Sequence, residues 1–138
     1  MPKLEDLVAF QRAVDLTVEI YSVTKTFPRE ELYGLTSQLR RAAGSIASNI
    51  AEGQGRLTPG ERRQFLSQAR GSMFEVEAHL IVAERLGFLT PIDRERITIM
   101  IKKGGRALNG YIRWVRGQEA TQRPRASASE HPTNATTQ

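Results

Sequence analysis

The sequence predicts an all-α protein, an antiparallel up-down-up-down four-helix bundle. Three observations predict it. Apolar residues recur at alternating spacings of three and four in four successive runs, the period of a helix with one face in a shared core. Proline- and glycine-marked breaks separate the runs, leaving connections too short for anything but antiparallel neighbours. Hydrophobic residues make up 39% of the 138 positions and aromatics only 7%, so a core of one domain is available and it is aliphatic.

The first helix is expected over Met1 to Lys25. Leu4, Leu7, Gln11, Val14, Val18 and Tyr21 fall at seam spacing, and a second stripe of Phe10, Ala13, Thr17, Ile20 and Thr24 runs beside them. Phe27-Pro28 ends the run, because the residue before proline is pushed out of the helical region; Phe27 is expected to plug one end of the bundle. Arg29 to Gly34 forms either a short helical turn or the first turn of the second helix, with Glu30 and Glu31 suited to a helix start.

The second helix is expected from Leu35 to about Glu52, stopped at Gly53-Gln54-Gly55. Leu35, Leu39, Ala43, Ile46 and Ile50 make its core face. Its opposite face carries Gly44, Ala47, Ser48 and Ala51 where a free-standing bundle helix carries Lys and Glu, which suits close approach by a second surface. Between them runs a polar stripe of Gln38, Ser45, Asn49 and Glu52. One reading makes this stripe a pocket or RNA contact. The favoured reading makes it structural: Ser45 and Asn49 are buried hydrogen-bonding groups that fix the helix register, and Glu52 pairs with an arginine such as Arg41, Arg56 or Arg70.

Thr58-Pro59-Gly60-Glu61 signals the start of the third helix, with Thr58 as cap, Pro59 in the first turn and Glu61 three residues on. Phe65, Ala69, Met73, Val76, Leu80 and Ala83 form its seam. Phe74, Ile81 and Phe88 recur every seven residues as further apolar surface, and Gly87 closes the helix. Thr90-Pro91-Ile92-Asp93 repeats the start device. Ile97, Ile101, Gly104, Leu108, Tyr111 and Val115 form the fourth seam. The Gly104-Gly105 pair within it either admits another backbone closely or marks a bend. The bundle is expected over residues 1–118. Residues 119–138, rich in Ser, Thr and Pro and without a large apolar side chain, are expected to be a disordered tail.

Composition excludes several functions. With no cysteine there are no disulfides, thiolate metal sites or Cys nucleophiles. His79 and His131 are the two histidines, and a di-iron bundle needs Glu-x-x-His on each of two helices. Gly53-x-Gly55 is too little for a phosphate loop. No cofactor, metal or enzymatic activity is expected. No apolar run reaches the ~20 residues of a membrane span, and the N-terminus lacks the form of a signal peptide, so a cytoplasmic protein is expected.

The net charge of +5 resides wholly before Glu119. It gathers at Arg40-Arg41, at Arg56 with Arg62-Arg63, and at Lys102-Lys103 with Arg106 and Arg113; Lys102, Arg106 and Arg113 share one helix face. These are candidate nucleic-acid contacts through phosphate neutralisation, against the alternative of a solvated face. The surplus apolar and small residues, Gly44, Ala47, Ser48, Ala51, Phe74, Ile81, Phe88, Gly104 and Gly105, are candidate oligomer contacts.

The stretch PREELYGLTSQLRRAAGSIASNIAEGQGR, residues 28–56, resembles the signature of the four-helix-bundle family of 23S rRNA intervening-sequence proteins. The matching residues are Phe27-Pro28, Glu31, Gly34-Leu35, Gln38-Leu39-Arg40-Arg41-Ala42-Ala43, Ser45-Ile46, Asn49-Ile50-Ala51-Glu52-Gly53 and Gly55-Arg56. Phe65-Leu66, Ala69-Arg70-Gly71-Ser72 and Glu75 continue it, and the likeness spans roughly Leu4 to Arg116. Related to that family is the accessory protein of diversity-generating retroelements. The resemblance implies a homopentamer with a basic surface and, as partners, RNA or DNA or a nucleoprotein such as a reverse transcriptase with its RNA. No membrane partner is expected, since no apolar run is long enough to span one. The competing expectation is a structural or protein-interaction module with no nucleic-acid role.

Overall fold

The computed structural model describes residues 3–122. Four helices, α1 (Val8–Thr24), α2 (Leu35–Gln54), α3 (Pro59–Arg85) and α4 (Pro91–Gln122), account for most of them, with single 3-10 turns at Leu4–Asp6 and Arg29–Glu31. No strand occurs among the described residues. α2 packs between α1 and α3, and α4 closes the ring by packing on α3 and α1. Short links join neighbours, so the helices alternate in direction as a four-helix bundle.

The core is aliphatic. Leu16 and Ile20 of α1, Leu39, Ile46 and Ile50 of α2, Leu66, Val76 and Leu80 of α3, and Ile97, Leu108 and Val115 of α4 are fully enclosed. Each such side chain contributes roughly 1.5–3 kcal/mol of burial. Phe27 closes one end as expected, its ring 5.9 Å from that of Phe88.

The first helix departs from its predicted phase. Gln11, Val14, Val18 and Tyr21 are exposed, while Ala9, Ala13, Leu16, Ile20 and Val23 face the core. The helix does not begin at Met1. Leu7 is extended, with φ −73° and ψ 119°, and caps a helix that starts at Val8. That break lets both Leu4 and Leu7 fold onto the core while the rest of α1 turns a different face inward.

Capping follows the sequence at α3 and α4. The Thr58 hydroxyl accepts from the Glu61 amide at 3.2 Å and the Thr90 hydroxyl from the Asp93 amide at 3.1 Å. At the end of α3, Gly87 adopts φ 78°, and the Phe88 and Gly87 amides donate to Ala83 and Glu84 carbonyls at 2.9 and 3.0 Å. This is the paired-bond stop that a left-handed glycine allows. At the start of α2, Glu31, one of the two acids suited to a helix start, accepts from the Leu35 amide through Oε2 at 3.1 Å.

α2 ends inside the expected Gly53-Gln54-Gly55 stop, at Gln54 with Gly55 as its C-cap, while Gly53 itself is a close-approach position. A Cβ there would lie 3.3 Å from both the Arg62 carbonyl oxygen and Phe65 Cβ. One further boundary differs from expectation. α4 continues four residues past Gln118 to Gln122, so the first part of the expected tail is helical. Glu119, on that added turn, pairs with Arg63 of α3. The remainder of the expected tail, residues 123–138, lies outside the described residues.

Candidate nucleic-acid interface

The antiparallel pair α3 and α4 lines up two rows of side chains across an outer groove. On α3, Arg63, Ser67, Arg70, Phe74 and Glu77 succeed one another at alternating spacings of four and three, which keeps them on one face. On α4, Gly105, Asn109, Arg113 and Arg116, spaced four, four and three apart, likewise share a face. One end of the groove is a hollow of 290 Å³ bounded by Arg63, Arg70, Arg113, Arg116, Ser67, Asn109 and Ile112. Arg70 and Asn109 also bound its continuation, a smaller recess of 140 Å³ with Phe74, Met73, Glu77, Ile101, Gly105 and Leu108.

Charge in the first hollow is one-sided. Arg63 is neutralised by Glu119 at 3.0 Å. Arg70 lies over the Phe74 ring at 6.0 Å, the outer limit of a cation–π contact. Among the described residues no carboxylate pairs with Arg70, Arg113 or Arg116. Three unneutralised guanidinium groups border one recess, and like charges gathered on one recess repel one another. An anion relieves that repulsion, and guanidinium offers a phosphate two parallel donors. Lys102 and Arg106 extend the same face of α4 and are exposed.

The other predicted basic residues are engaged elsewhere. Arg40 donates to the Thr24 hydroxyl at 2.9 Å and lies over the Tyr21 ring at 4.7 Å. Arg41 pairs with Glu75 at 2.6 Å and holds that carboxyl below the ordinary range, chiefly through this hydrogen bond. His79 stands 3.4 Å from the same carboxylate. Arg56 covers Phe65 at 4.4 Å and faces Glu52 at 3.8 Å. Arg62 donates to the Arg56 carbonyl at 3.0 Å and reaches Gln118 at 3.5 Å, tying the α2–α3 link to α4. Lys103 borders a different recess, of 630 Å³, with Arg96, Ile92, Ile99 and Met100. Of the nine predicted contacts the groove therefore holds Arg63 and Arg113, with Lys102 and Arg106 alongside. Arg70 and Arg116 were missed as contacts, although their spacing from Arg63 and Arg113 was readable.

The polar stripe on α2 binds itself and α3. Asn49 Nδ2 donates to the Ser45 carbonyl at 2.8 Å and to Ser45 Oγ at 3.0 Å, and the Ser45 and Ser72 hydroxyls are 3.0 Å apart. Gln38 and Glu52 are exposed. At the end of α2, the Tyr111 hydroxyl donates to Gln54 Oε1, and burial pushes the Tyr111 phenol upward.

The predicted oligomer contacts separate into groups. Gly44, Ala47 and Ala51 are half-buried and Ser48 is exposed, on the α2 surface next to α1, whose Val14, Val18 and Tyr21 are exposed. Ile81 is exposed on α3. Phe74 and Gly105 border the groove. Phe88 packs on Phe27 inside the chain. Gly104 is buried, and a Cβ there would meet Met73 Cε at 3.2 Å and Arg12 Cβ at 3.6 Å. It admits the chain's own helices and offers nothing to a second copy.

Among the described residues no group of three His, Asp or Glu side chains is arranged to hold a metal ion, and no helix is long and apolar enough to cross a membrane.

The family model of the 23S rRNA-intervening sequence protein matches residues 5–110. That span takes in Arg63 and Arg70 and stops short of Arg113 and Arg116. Among solved structures, a protein of unknown function from the S23 ribosomal protein family of Bacteroides thetaiotaomicron superposes with a TM-score of 0.70 at 22% identity, covering 76% of this chain and 98% of that one. At that identity the likeness establishes the fold. No curated protein gives a significant match.

Proposed function

The chain belongs to the 23S rRNA-intervening sequence protein family, and from that premise we propose that it is a non-enzymatic, homo-oligomeric bundle that binds nucleic acid through the α3–α4 groove. The observation that carries this reading is the set of three arginines, Arg70, Arg113 and Arg116, around one recess, with no neutralising carboxylate among the described residues. Lys102 and Arg106 lengthen the positive face. Phosphates of RNA, of DNA, or of a reverse transcriptase–RNA complex satisfy it equally. That last partner is the one to which the resemblance to retroelement accessory proteins points. The assembly is a pentamer by the same resemblance, repeating the basic face around an axis.

Titration of labelled RNA and DNA by anisotropy at several salt concentrations tests the reading. Phosphate-driven binding falls linearly in log K with log salt, by about 0.7 per neutralised phosphate on single strands and about 0.9 on duplex. Arg113→Glu with Arg116→Glu is expected to weaken binding at least tenfold near 0.1 M salt and to flatten the slope by one to two phosphates. Both residues are exposed on α4, so circular dichroism should be unchanged. Absence of binding at low salt would favour a second reading, a protein-interaction module. Its supporting feature is the apolar recess of Pro91, Ile92, Ile99 and Met100 on α4, where Ile92 is 80% exposed.

A further inference from the structure

The geometry points to a single-stranded nucleic acid as the occupant of the groove, with an unpaired base stacked against Phe74 and its flanking phosphates held by Arg70, Arg113 and Arg116. This rests on the nucleic-acid reading above and adds what that reading leaves open, the strandedness of the ligand.

Three features of the groove select a base. Phe74 is 62% exposed, although it stands over the apolar recess formed by Met73, Ile101 and Leu108. Among the described residues no side chain other than that of Arg70 lies over its ring. Arg70, at 6.0 Å, is loosely engaged and belongs equally to the arginine-lined hollow, so it can follow a phosphate while the ring receives the base. Opposite Phe74, α4 presents Gly105, where an added Cβ would find nothing within 4 Å. The recess of 140 Å³ is well below the ~300 Å³ at which small-molecule sites begin. It suits one flat ring.

The sequence of features along the groove matches a strand. From Arg63 to Phe74 is eleven residues of α3, about 16 Å at the helical rise. A stacked strand carries one phosphate per ~3.4 Å, so a few consecutive nucleotides fill that length. Positively charged channels that follow the backbone beside an aromatic platform are the general solution for single strands, because every base has a π-face. A duplex keeps its bases stacked internally, so it has no free base face to lay on the ring. Glu77 stands at the far end of the recess, where its charge opposes a phosphate and favours the uncharged base. The groove therefore has a phosphate end and a base end.

The test uses the full chain and three labelled 12-nucleotide probes: a single strand, the corresponding duplex, and a single strand with abasic sites. Binding is measured by anisotropy at low and moderate salt, with RNA and DNA versions run in parallel. The native chain should bind the single strand more tightly than the abasic strand at the same salt. Phe74→Ala should weaken single-strand binding about tenfold, leaving duplex binding and the salt slope unchanged. Gly105→Leu fills the recess from the opposite wall without entering the core. It should reproduce that loss with the thermal midpoint held or raised, since leucine is the better helix former. Loss of affinity with Arg113→Glu and Arg116→Glu but equal binding of abasic and native strands, unaffected by Phe74→Ala and Gly105→Leu, would overturn the base-stacking inference and leave the phosphate reading standing. No binding of any probe at low salt would overturn both.

Discussion

Glu75 gathers two partners on one carboxylate, the Arg41 guanidinium across from α2 and the His79 ring one turn along α3. Its folded-state pKa is lowered from 4.5, first by the Arg41 hydrogen bond. A carboxyl depressed on folding stabilises the native state above its unfolded pKa and loses that contribution as pH falls through the folded value. Arg41 is largely exposed and Glu75 is 37% exposed, so the pair is worth about 0.2–1 kcal/mol near neutral pH. Urea unfolding of Arg41→Ala should show that loss at pH 7, and the loss should shrink as pH falls through the lowered folded-state pKa of Glu75 and vanish once the carboxyl is protonated in both states. A loss independent of pH would assign the effect to the Arg41 stem packing on its neighbours. At the same scale, Asn49 donates twice to Ser45 beside the core. Asn49→Leu should change the unfolding midpoint while leaving nucleic-acid affinity intact; the reverse pattern would place Asn49 in a binding site.

Among the elements, α2 owes its tight seat on α3 to Gly53. Its hydrogen faces the Arg62 carbonyl and Phe65 Cβ where a methyl would come within 3.3 Å of each. Backbone cannot yield as a long side chain does. Gly53→Ala should therefore destabilise by about 1–3 kcal/mol, the overpacking range, although alanine is the better helix former. A rise in the chemical-denaturation midpoint would show that α2 and α3 separate freely. The position also shows how far the elements were legible. Glycine after a helical run reads as a stop, and only the partner backbone reveals that it is a contact. Cap signals at Thr58, Thr90 and Gly87 act within a few residues and were fully readable. The phase of α1 was not, since two apolar stripes competed and the break at Leu7 depends on where Leu4 and Leu7 find the core. The groove lay between these cases. Each arginine row was readable on its own helix, but Arg63 and Arg70 meet Arg113 and Arg116 only once α3 and α4 are set antiparallel at a fixed register.

For the whole molecule, the surface divides into a basic groove on α3–α4 and a small, partly apolar face on α1–α2. Val18 is 65% exposed and Tyr21 48%, and beside them α2 presents Gly44, Ala47 and Ser48. Thr17 reaches across to the Ala43 carbonyl at 3.1 Å, so the two helices offer one continuous surface. Burying such a face between copies is favourable in proportion to its apolar area, and small residues admit the backbone of a second copy closely. An assembly that leaves the α3–α4 groove open would multiply phosphate contacts along one strand. Multi-angle light scattering should thus report a mass several times the 15.5 kDa of one chain. Ser48→Arg, exposed and outside the core, should lower that mass without altering circular dichroism, and should weaken binding of a long single strand far more than that of a 12-nucleotide probe. A native mass of one chain, or an equal loss for long and short strands, would separate the groove's binding from any assembly of the bundle.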